Sequence, residues 1–285
     1  MKVAERVAVI GAGAMGEAFI RGLLRGGFVN REQLVATDKS SERRAHVEQS
    51  YGILVTLDNA EALRTADTAV VAVKPQNIVE ALRELAPAVE PQRHLIISIA
   101  AGVPTSTIER RLPPGTPVVR AMPNIAALVG QAATALCKGT FAQDAHLQRA
   151  LGIFEAIGRA VVVGEALMDA VTGLSGSGPA YAYLMIEALA DGGVAAGLSR
   201  EAAMFLAAQT LAGAARMVLD TGRHPAELRN WVTSPAGTTA AGLTVLESRG
   251  VRGALMEAVL AGTRRSRELG EAGLQHPAAS GSGGA

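Results

Sequence analysis

Three glycines near the start of the chain have the spacing of a phosphate-binding loop. Gly11, Gly13 and Gly16 follow an apolar run at residues 7–10 and precede a helical pattern over residues 17–24. In such a loop the first glycine permits a tight turn, the second lets the backbone approach a pyrophosphate, and the third lets the helix pack closely on a sheet. Free N–H groups at the helix start then stabilise the anion. The spacing predicts a dinucleotide site, and the alternative is a glycine turn that only packs.

The residues after the second apolar run leave the identity of that dinucleotide open. Asp38 stands where an acidic side chain would hold the ribose hydroxyls of NAD. Lys39 and the serines and arginines among residues 40–44 offer instead the groups that would hold a 2′-phosphate. In a third interpretation Ser40 caps a helix and the arginines are solvated.

Three further apolar runs end in residues that suit the edge of a nucleotide site. Lys74 and Pro75 follow the fourth run, small residues at 98–102 follow the fifth, and Met122 and Asn124 lie at the end of the sixth. Ligands of open α/β sheets bind beyond the carboxyl ends of the strands. Small residues admit a flat ring, whereas Met122 and Asn124 offer an apolar side chain and an amide as a wall. Lys74 is equally well an ordinary surface residue.

A distant turn has the features of a carboxylate site. Residues 234–239 read Ser-Pro-Ala-Gly-Thr-Thr and directly precede a helical pattern over residues 240–247. Its hydroxyls and the free N–H groups of the helix start can bind a small anion, with a contribution of about 0.3–1 kcal/mol from the helix terminus alone. The alternative is a Ser-Pro turn with threonine caps. A second hydroxyl-bearing turn, residues 175–179, either lines a cleft between two domains or connects two helices.

The chain has two halves with different patterns. Before Gly164, short apolar runs alternate with helical patterns, which predicts βαβ units and a mainly parallel sheet. After Gly164 the pattern is helical and rich in Ala and Leu. The predicted strands are 7–10, 34–37, 53–56, 69–73, 95–99, 118–121, 134–137 and 160–163. We therefore predict a Rossmann-type dinucleotide-binding domain over residues 1–164, an all-α domain over 165–275 that binds substrate and dimerises, and a disordered tail at 276–285.

Composition excludes several classes of protein. A formal net charge of +1 argues against a nucleic-acid surface. No uninterrupted apolar stretch approaches the ~18 residues of a spanning helix, and no apolar core of signal-peptide length begins the chain, so we expect a cytoplasmic protein without a membrane partner. The one cysteine, Cys137, fits a reducing compartment. No Cys/His cluster has metal-ligand spacing, so no metal is expected.

Taken together, these motifs resemble pyrroline-5-carboxylate reductase along nearly the whole chain. The resemblance rests on the glycine loop, Val73-Lys74-Pro75, Met122-Pro123-Asn124, the segment 176–181 and, most specifically, the turn at 234–239. It implies a Rossmann domain, a helical dimerisation domain, an active site in the interdomain cleft, and a homodimer that can assemble into a decamer. It implies an NAD(P)H-dependent enzyme of proline biosynthesis that reduces the imine of pyrroline-5-carboxylate to proline. NADPH is the expected cofactor and NADH is usable.

The resemblance also assigns residues to roles. Thr239 is the expected catalytic residue, because its hydroxyl would hydrogen-bond the ring nitrogen. The expected substrate contacts are Met122, Asn124, Ser234, Gly237, Thr238 and Thr239. The expected cofactor contacts are Ile10, Gly11, Ala12, Gly13, Ala14, Met15, Gly16, Lys39, Asn59, Ala72, Val73, Lys74, Pro75, Ser98, Ala100 and Ala101.

Two other functions stay open on the sequence. A β-hydroxyacid dehydrogenase has the same domain order, but it needs a proton-transfer residue, typically a lysine of the second domain. Residues 165–285 contain no lysine, which counts against this alternative. A non-catalytic dinucleotide sensor is the other alternative, and the intact glycine loop and distal turn count against it.

Overall fold

The first part of the chain forms an eight-stranded sheet. The computed structural model describes residues 5–275. Its strands are β1 Val7–Ile10, β2 Leu34–Thr37, β3 Leu54–Thr56, β4 Thr68–Val71, β5 Leu95–Ser98, β6 Val118–Met122, β7 Ala132–Lys138 and β8 Gly158–Val162. Each strand overlaps one of the apolar runs, and the predicted fold class is confirmed.

The sheet is mainly parallel and has a topological switch beside β1. The strand order is β3-β2-β1-β4-β5-β6-β7-β8. All neighbouring pairs are parallel except β6 and β7. The chain proceeds from β1 outward to β3 and then crosses to β4 on the other side of β1. In open α/β sheets such a reversal leaves a crevice at the carboxyl ends of the strands, where ligands bind.

Burial on both faces explains why the central strands are continuous apolar runs. All four residues of β1, β2, β4 and β5 are buried. The edge strands β3 and β8 are largely exposed or half-buried. A parallel strand covered by helices on both faces has no solvent-facing side, so alternation of polar and apolar residues disappears.

Helices cover the sheet and then form the second half. Within residues 5–275 they are α1 Ala14–Arg25, α2 Ser41–Tyr51, α3 Asn59–Arg64, α4 Ile78–Leu85, α5 Thr105–Glu109, α6 Asp144–Glu155, α7 Met168–Val171, α8 Gly178–Ala195, α9 Arg200–Thr221, α10 Pro225–Trp231, α11 Thr238–Ser248 and α12 Val251–Gln275. A π-helical segment, Thr172–Gly176, follows α7. On one face of the sheet, Phe19 of α1 and Phe154 of α6 pack edge to face with ring centroids 5.1 Å apart. Leu82 and Leu85 of α4 are buried in the core of the other face.

The register brings four strand ends level with one another. Ile10 pairs with Thr37 on one side and with Val71 on the other, and Val71 pairs with Ser98. The segments that follow these residues therefore leave the sheet at one edge. These segments are the glycine loop at residues 11–16, Asp38, residues 72–75 and residues 99–101.

The contacts divide the chain into two compact units. Residues 5–176 and 261–275 form the first, and Ser177–Leu260 form the second. Residues 165–176 belong with the sheet because Met168 is buried beside Ala135 and Cys137 of β7. The domain boundary near Gly164 stays a prediction, and the predicted disordered tail at 276–285 lies outside the described residues.

The second unit exposes many large apolar side chains. Helices α8 and α9 pack through small residues, with Ala190, Ala203 and Ala207 buried between them. By contrast Leu184 and Phe205 are each 66% exposed. Helix α9 is long and apolar enough to cross a membrane by length and composition, and 11% of its most apolar stretch is buried. Exposed apolar surface of this extent is typical of contact with a protein partner or a membrane.

Candidate functional site

The first glycine of the loop needs a backbone that only glycine adopts without strain. Gly11 has φ +94°, and a Cβ there would lie 3.0 Å from both the Ala72 carbonyl oxygen and Val73 Cγ1. Its N–H donates to the Thr37 carbonyl oxygen at 3.0 Å. The loop is therefore pressed against the ends of the two neighbouring strands.

The other two glycines differ in what surrounds them. A Cβ on Gly16 would overlap the Gly11 carbonyl oxygen, so α1 packs directly on the loop. A Cβ on Gly13 would meet nothing within 4 Å. Gly13 is the N-cap of α1 and no side chain caps this end. The helix start thus offers unblocked N–H groups and open space, which is the arrangement a pyrophosphate requires.

The carboxylate of Glu17, in the first turn of α1, is paired with neighbouring polar side chains. Glu17 receives hydrogen bonds from the Tyr51 hydroxyl at 2.8 Å and from the Arg43 guanidinium. Partial burial opposes ionisation of Glu17, but the hydrogen bonds from Tyr51, Arg43 and His46 outweigh it and lower the pKa of the carboxyl. Glu17 is therefore ionised, and its charge near the helix start is offset by the paired Arg43 guanidinium.

Asp38 braces the glycine loop. Its Oδ2 accepts from the Ala12 N–H at 3.0 Å and its Oδ1 from the Ser40 N–H at 2.9 Å. Arg43 Nε donates to the Ala12 carbonyl oxygen at 2.5 Å. The Ser40 hydroxyl accepts from the Arg43 N–H at 3.2 Å, so Ser40 is the N-cap of α2. Of the interpretations left open by the sequence, the helix cap is confirmed, whereas Asp38 and Arg43 are bound within the loop and its neighbours.

Asn59 lies in a buried polar chain beside the end of β2. It is 8% exposed, and its Oδ1 accepts from the Thr37 hydroxyl at 2.6 Å. Its Nδ2 donates to Glu84 Oε2 at 2.5 Å. Lys39 Nζ lies 2.7 Å from Glu80 Oε2 and 3.8 Å from Glu84 Oε1. Asn59 and Lys39 thus lie on either side of Glu84 of α4.

The loops after β4 and β5 complete this edge. The Ala72 N–H donates to the Ile10 carbonyl oxygen at 2.8 Å, which ties the two loops together. Lys74 is exposed and Pro75 begins a short 3₁₀ turn. Ser98 is buried and its hydroxyl accepts from the Ala100 N–H at 3.3 Å. The Ser98 hydroxyl therefore shapes its own loop, and that loop then presents small side chains.

Asn124 uses both ends of its amide within the chain. Its Nδ2 donates to the Ser175 carbonyl oxygen at 3.0 Å and its Oδ1 accepts from the Ala133 N–H at 3.3 Å. Met122 packs in the same small cluster as Met168. A Cβ on Gly176 would lie 2.7 Å from Met122 Cε. These contacts join the end of β6 to the π-helical segment, so the predicted substrate role of Asn124 requires that its amide exchange partners or act through position.

The distal turn belongs to the second unit. The Gly237 N–H donates to the Ser234 carbonyl oxygen at 3.1 Å, and α11 begins at Thr238 with no side-chain cap. Helix α11 thus starts two residues earlier than expected, and Thr238 and Thr239 occupy its first turn. Ser234 and Thr238 are exposed and Thr239 is half-buried. The turn has the free helix start and the hydroxyls that the sequence predicted.

The unusual backbone of this turn is not at the glycine. Gly237 has φ −78°, an ordinary value, whereas Ala236 has φ +55°, the left-handed region. The dihedral angles of Gly237 therefore do not require glycine at this position. A Cβ on Gly237 would instead overlap the Ser234 hydroxyl. A non-glycine residue in the left-handed region costs of order 1 kcal/mol and is often found at functional sites.

The expected cofactor residues gather at one edge of the sheet in the first unit, and the turn at 234–239 lies in the second unit. A separate concavity of about 860 Å³, lined by Arg21, Arg25, Arg31, Phe28 and Tyr51, includes none of these residues. It lies where β2 begins rather than where the strands end, so it is not the nucleotide edge.

Two family models match the chain along complementary segments. Residues 165–269 match a model described as pyrroline-5-carboxylate reductase dimerisation. Residues 6–102 match a model described as NADP oxidoreductase, coenzyme F420-dependent. The pyrroline-5-carboxylate reductase of Methanosarcina acetivorans is 49% identical over 94% of this chain and 98% of its own length. The chain belongs to the pyrroline-5-carboxylate reductase family. The resemblance noted in the sequence is thereby confirmed.

Further members of the family agree in sequence and in structure. The Arabidopsis thaliana reductase is 42% identical over 93% of this chain and 96% of its own. The solved reductase of Coxiella burnetii has a TM-score of 0.89 at 35% identity, covering 93% of this chain and 98% of that one. The Plasmodium falciparum enzyme, solved with NADP bound, has a TM-score of 0.82 at 31% identity and the same coverage.

Several contacts around the site of this family member have no signal in the sequence. Ser266 of α12 is buried and its hydroxyl donates to Asp169 Oδ1 at 2.7 Å. A Cβ on Gly270 would lie 2.8 Å from the Gly102 carbonyl oxygen. Gly102, with φ +73°, ends the loop after β5. The end of α12 therefore packs against the loop after β5, a predicted cofactor loop, although more than half of the sequence lies between them.

Proposed function

We propose that this chain transfers hydride from NADPH to the cyclic imine of 1-pyrroline-5-carboxylate and so forms L-proline, with NADH as a weaker donor. The single observation that carries this proposal is the glycine loop with open space at Gly13 in a member of this family. The uncapped start of α11 beside Ser234 and Gly237 provides the second requirement, an anion site for the substrate carboxylate.

The residues present fit a dinucleotide. Gly11 turns the loop, Gly13 leaves its backbone approachable, and the start of α1 presents N–H groups to the pyrophosphate. Residues 72–75 and 98–101 extend the same edge toward the nicotinamide. When bound there, the reduced nicotinamide supplies the hydride.

The substrate carboxylate would be held by the turn at 234–239 and not by an arginine. Hydrogen bonds to a charged group contribute about 1.5–3 kcal/mol each, and the start of α11 adds about 0.3–1 kcal/mol. The hydroxyls of Ser234 and Thr238 are exposed and available for such bonds. This arrangement holds the carboxylate without placing a strong fixed cation beside the imine.

Thr239 is the residue proposed to contact the reacting group. A cyclic imine is electrophilic, more so when protonated, so the protein needs mainly to orient two flat rings in a dry cleft. The Thr239 hydroxyl would hydrogen-bond the ring nitrogen, whose basicity changes as hydride arrives at the neighbouring carbon. No strong acid or base is required, in contrast to carbonyl reduction.

The assembly proposed is a cytoplasmic homodimer, formed through the second unit, that can associate further into a decamer. Leu184 and Phe205 are among the exposed apolar side chains of that unit, and the matching family model is one for dimerisation. Burial of such side chains contributes about 25 cal/mol per Å² of apolar surface.

The test is the loss of reduced-nicotinamide absorbance when pyrroline-5-carboxylate is added to the purified full-length protein. We expect substrate-dependent oxidation of NADPH, slower oxidation of NADH, and proline as the product by mass spectrometry. Binding of NADPH without turnover would favour a sensor. Reduction of NADP⁺ by a β-hydroxyacid, without turnover of the imine by NADPH, would favour the dehydrogenase alternative.

A further inference from the structure

One lysine stands at the ribose end of the nucleotide edge, and it is already paired. Lys39 follows Asp38 directly, and its Nζ lies 2.7 Å from Glu80 Oε2 of α4. The Lys39 side chain is 64% exposed and that of Glu80 48%. Exposed pairs of this kind are weak and exchange partners readily. An incoming anion can therefore compete with Glu80 for the ammonium group.

The other charged groups nearby have contacts within the loop. Both oxygens of Asp38 accept backbone N–H groups, from Ala12 and Ser40. Arg43 is paired with Glu17 and bonded to the Ala12 carbonyl oxygen. Thus Asp38 and Arg43 hold backbone groups of the loop, whereas the Lys39 ammonium group lies beside the carboxylates of Glu80 and Glu84.

Glu80 and Glu84 have different roles although they lie one turn apart on α4. Glu84 Oε2 accepts from Asn59 Nδ2 at 2.5 Å, and Asn59 is bonded in turn to Thr37. Removing the Glu84 charge would disturb this buried chain. Glu80 has Lys39 as its hydrogen-bonded and ion-paired partner. Its charge can be removed without opening a buried network.

Both members of the pair are charged at neutral pH. The hydrogen bond from Lys39 lowers the pKa of the Glu80 carboxyl, and the same contact raises the pKa of the Lys39 ammonium. The carboxylate therefore offsets the positive charge of Lys39 at the position where a dinucleotide carries either a 2′-hydroxyl or a 2′-phosphate.

From this geometry, and resting on the proposed function for the dinucleotide, we propose that Glu80 determines how strongly the chain discriminates between NADPH and NADH. A 2′-phosphate must displace Glu80 from Lys39 and approach two carboxylates, whereas an uncharged 2′-hydroxyl is not repelled by either carboxylate. Glu80 thus weakens the preference for NADPH that Lys39 would otherwise give.

The experiment measures dissociation constants of NADPH and NADH for the full-length protein by fluorescence, with 2′,5′-ADP and ADP as fragments without nicotinamide. For Glu80→Gln we expect NADPH and 2′,5′-ADP to bind about two- to fivefold more tightly, the range for a surface charge, with NADH and ADP changed less than this. Lys39→Gln should weaken NADPH and 2′,5′-ADP, and the gain from Glu80→Gln should shrink in that background.

The matched control is Glu48→Gln, which removes the same charge from an exposed position on α2. An equal gain for NADPH in both variants would show a general field effect and overturn the proposal, as would an unchanged NADPH affinity in Glu80→Gln. If the native protein binds NADPH and NADH but does not reduce the imine, the proposed function fails while this proposal is still decided by the affinities. If the native protein binds neither dinucleotide, both fail.

Discussion

The same substitution at two glycines of the loop should destabilise the protein at one position and not at the other. At Gly16 a Cβ overlaps the Gly11 carbonyl oxygen, a backbone atom that cannot rotate away. Overpacking of this kind costs about 1–3 kcal/mol. At Gly13 a Cβ meets nothing within 4 Å. Because φ there is −64°, alanine is tolerated and the loss of unfolded-state entropy stabilises by about 0.4–1 kcal/mol.

These free energies correspond to measurable shifts in melting temperature. At about 2–4 °C per kcal/mol for a chain of this size, Gly16→Ala should lower the Tm by about 2–12 °C. Gly13→Ala should leave the Tm unchanged or raise it by about 1–4 °C. Differential scanning fluorimetry of the protein without nucleotide measures both.

Binding should separate the two variants in a second way. A methyl group on Gly13 occupies the surface that a pyrophosphate would approach, so one charge-assisted hydrogen bond worth about 1.5–3 kcal/mol is lost and NADPH affinity falls about 10- to 100-fold. The NADPH-dependent rise in Tm should therefore shrink in the more stable variant. A Gly13→Ala protein that binds NADPH like the native one would refute the assignment of this loop to the pyrophosphate. A Gly16→Ala protein of native stability would refute the packing argument.

Substitution or reaction at four other residues should change activity, binding or stability in a defined direction. Thr239→Ala should lower kcat by about one to two decades, because one hydrogen bond of about 1–3 kcal/mol is lost. The control is Thr244→Ala, whose hydroxyl bonds a carbonyl of the same helix, and equal losses would assign Thr239 to the helix instead. Gly237→Val should weaken proline binding more than NADPH binding, because the valine side chain would collide with the Ser234 hydroxyl. Equal weakening of both would contradict a carboxylate site at this turn. Burial, then the charge of a neighbouring arginine, lowers the pKa of His94 below its ordinary 6.5. As the pH falls, the unfolded chain therefore binds a proton at His94 before the folded chain does, so the free energy of unfolding decreases below about pH 6.5. The urea concentration at the unfolding midpoint should decrease with it, and His94→Gln should make this pH dependence smaller. Burial raises the pKa of the Cys137 thiol to about 11. In the folded protein this thiol should therefore react slowly with a thiol-specific disulfide reagent at neutral pH, whereas in the unfolded protein it should react readily. Rapid reaction of the folded protein would show that the strand opens.

Local sequence patterns predicted most of the sheet. The predicted strands at 7–10 and 95–99 are mostly apolar, and they correspond to the buried strands Val7–Ile10 and Leu95–Ser98. The pattern gave β7 within two residues at its start but not its direction, which is antiparallel to β6. Strand direction depends on which neighbour the strand finds after folding, and no local period records it.

The sequence predicts the candidate site best where the local backbone geometry admits only one residue type. Gly11 and Gly16 have the roles that their spacing predicted, since a side chain at either position would meet backbone atoms. Nothing in the sequence marks Ala236 as the residue with positive φ in the distal turn, because alanine does not favour that conformation. That conformation is imposed by the turn around it and not favoured by the residue itself.

The sequence by itself determined the strands, the glycine loop and membership of the family, because these depend on residue type and on spacing over a few positions. Only the tertiary structure decided which charges are free. Asp38 and Arg43 have the types expected at a ribose site, yet each lies within hydrogen-bond distance of a backbone group of Ala12. Gly270 meets Gly102 across a separation that no local pattern spans. A side chain's partners follow from where the folded backbone brings it, and hydrogen bonds and close contacts act over a few ångströms in space rather than along the chain.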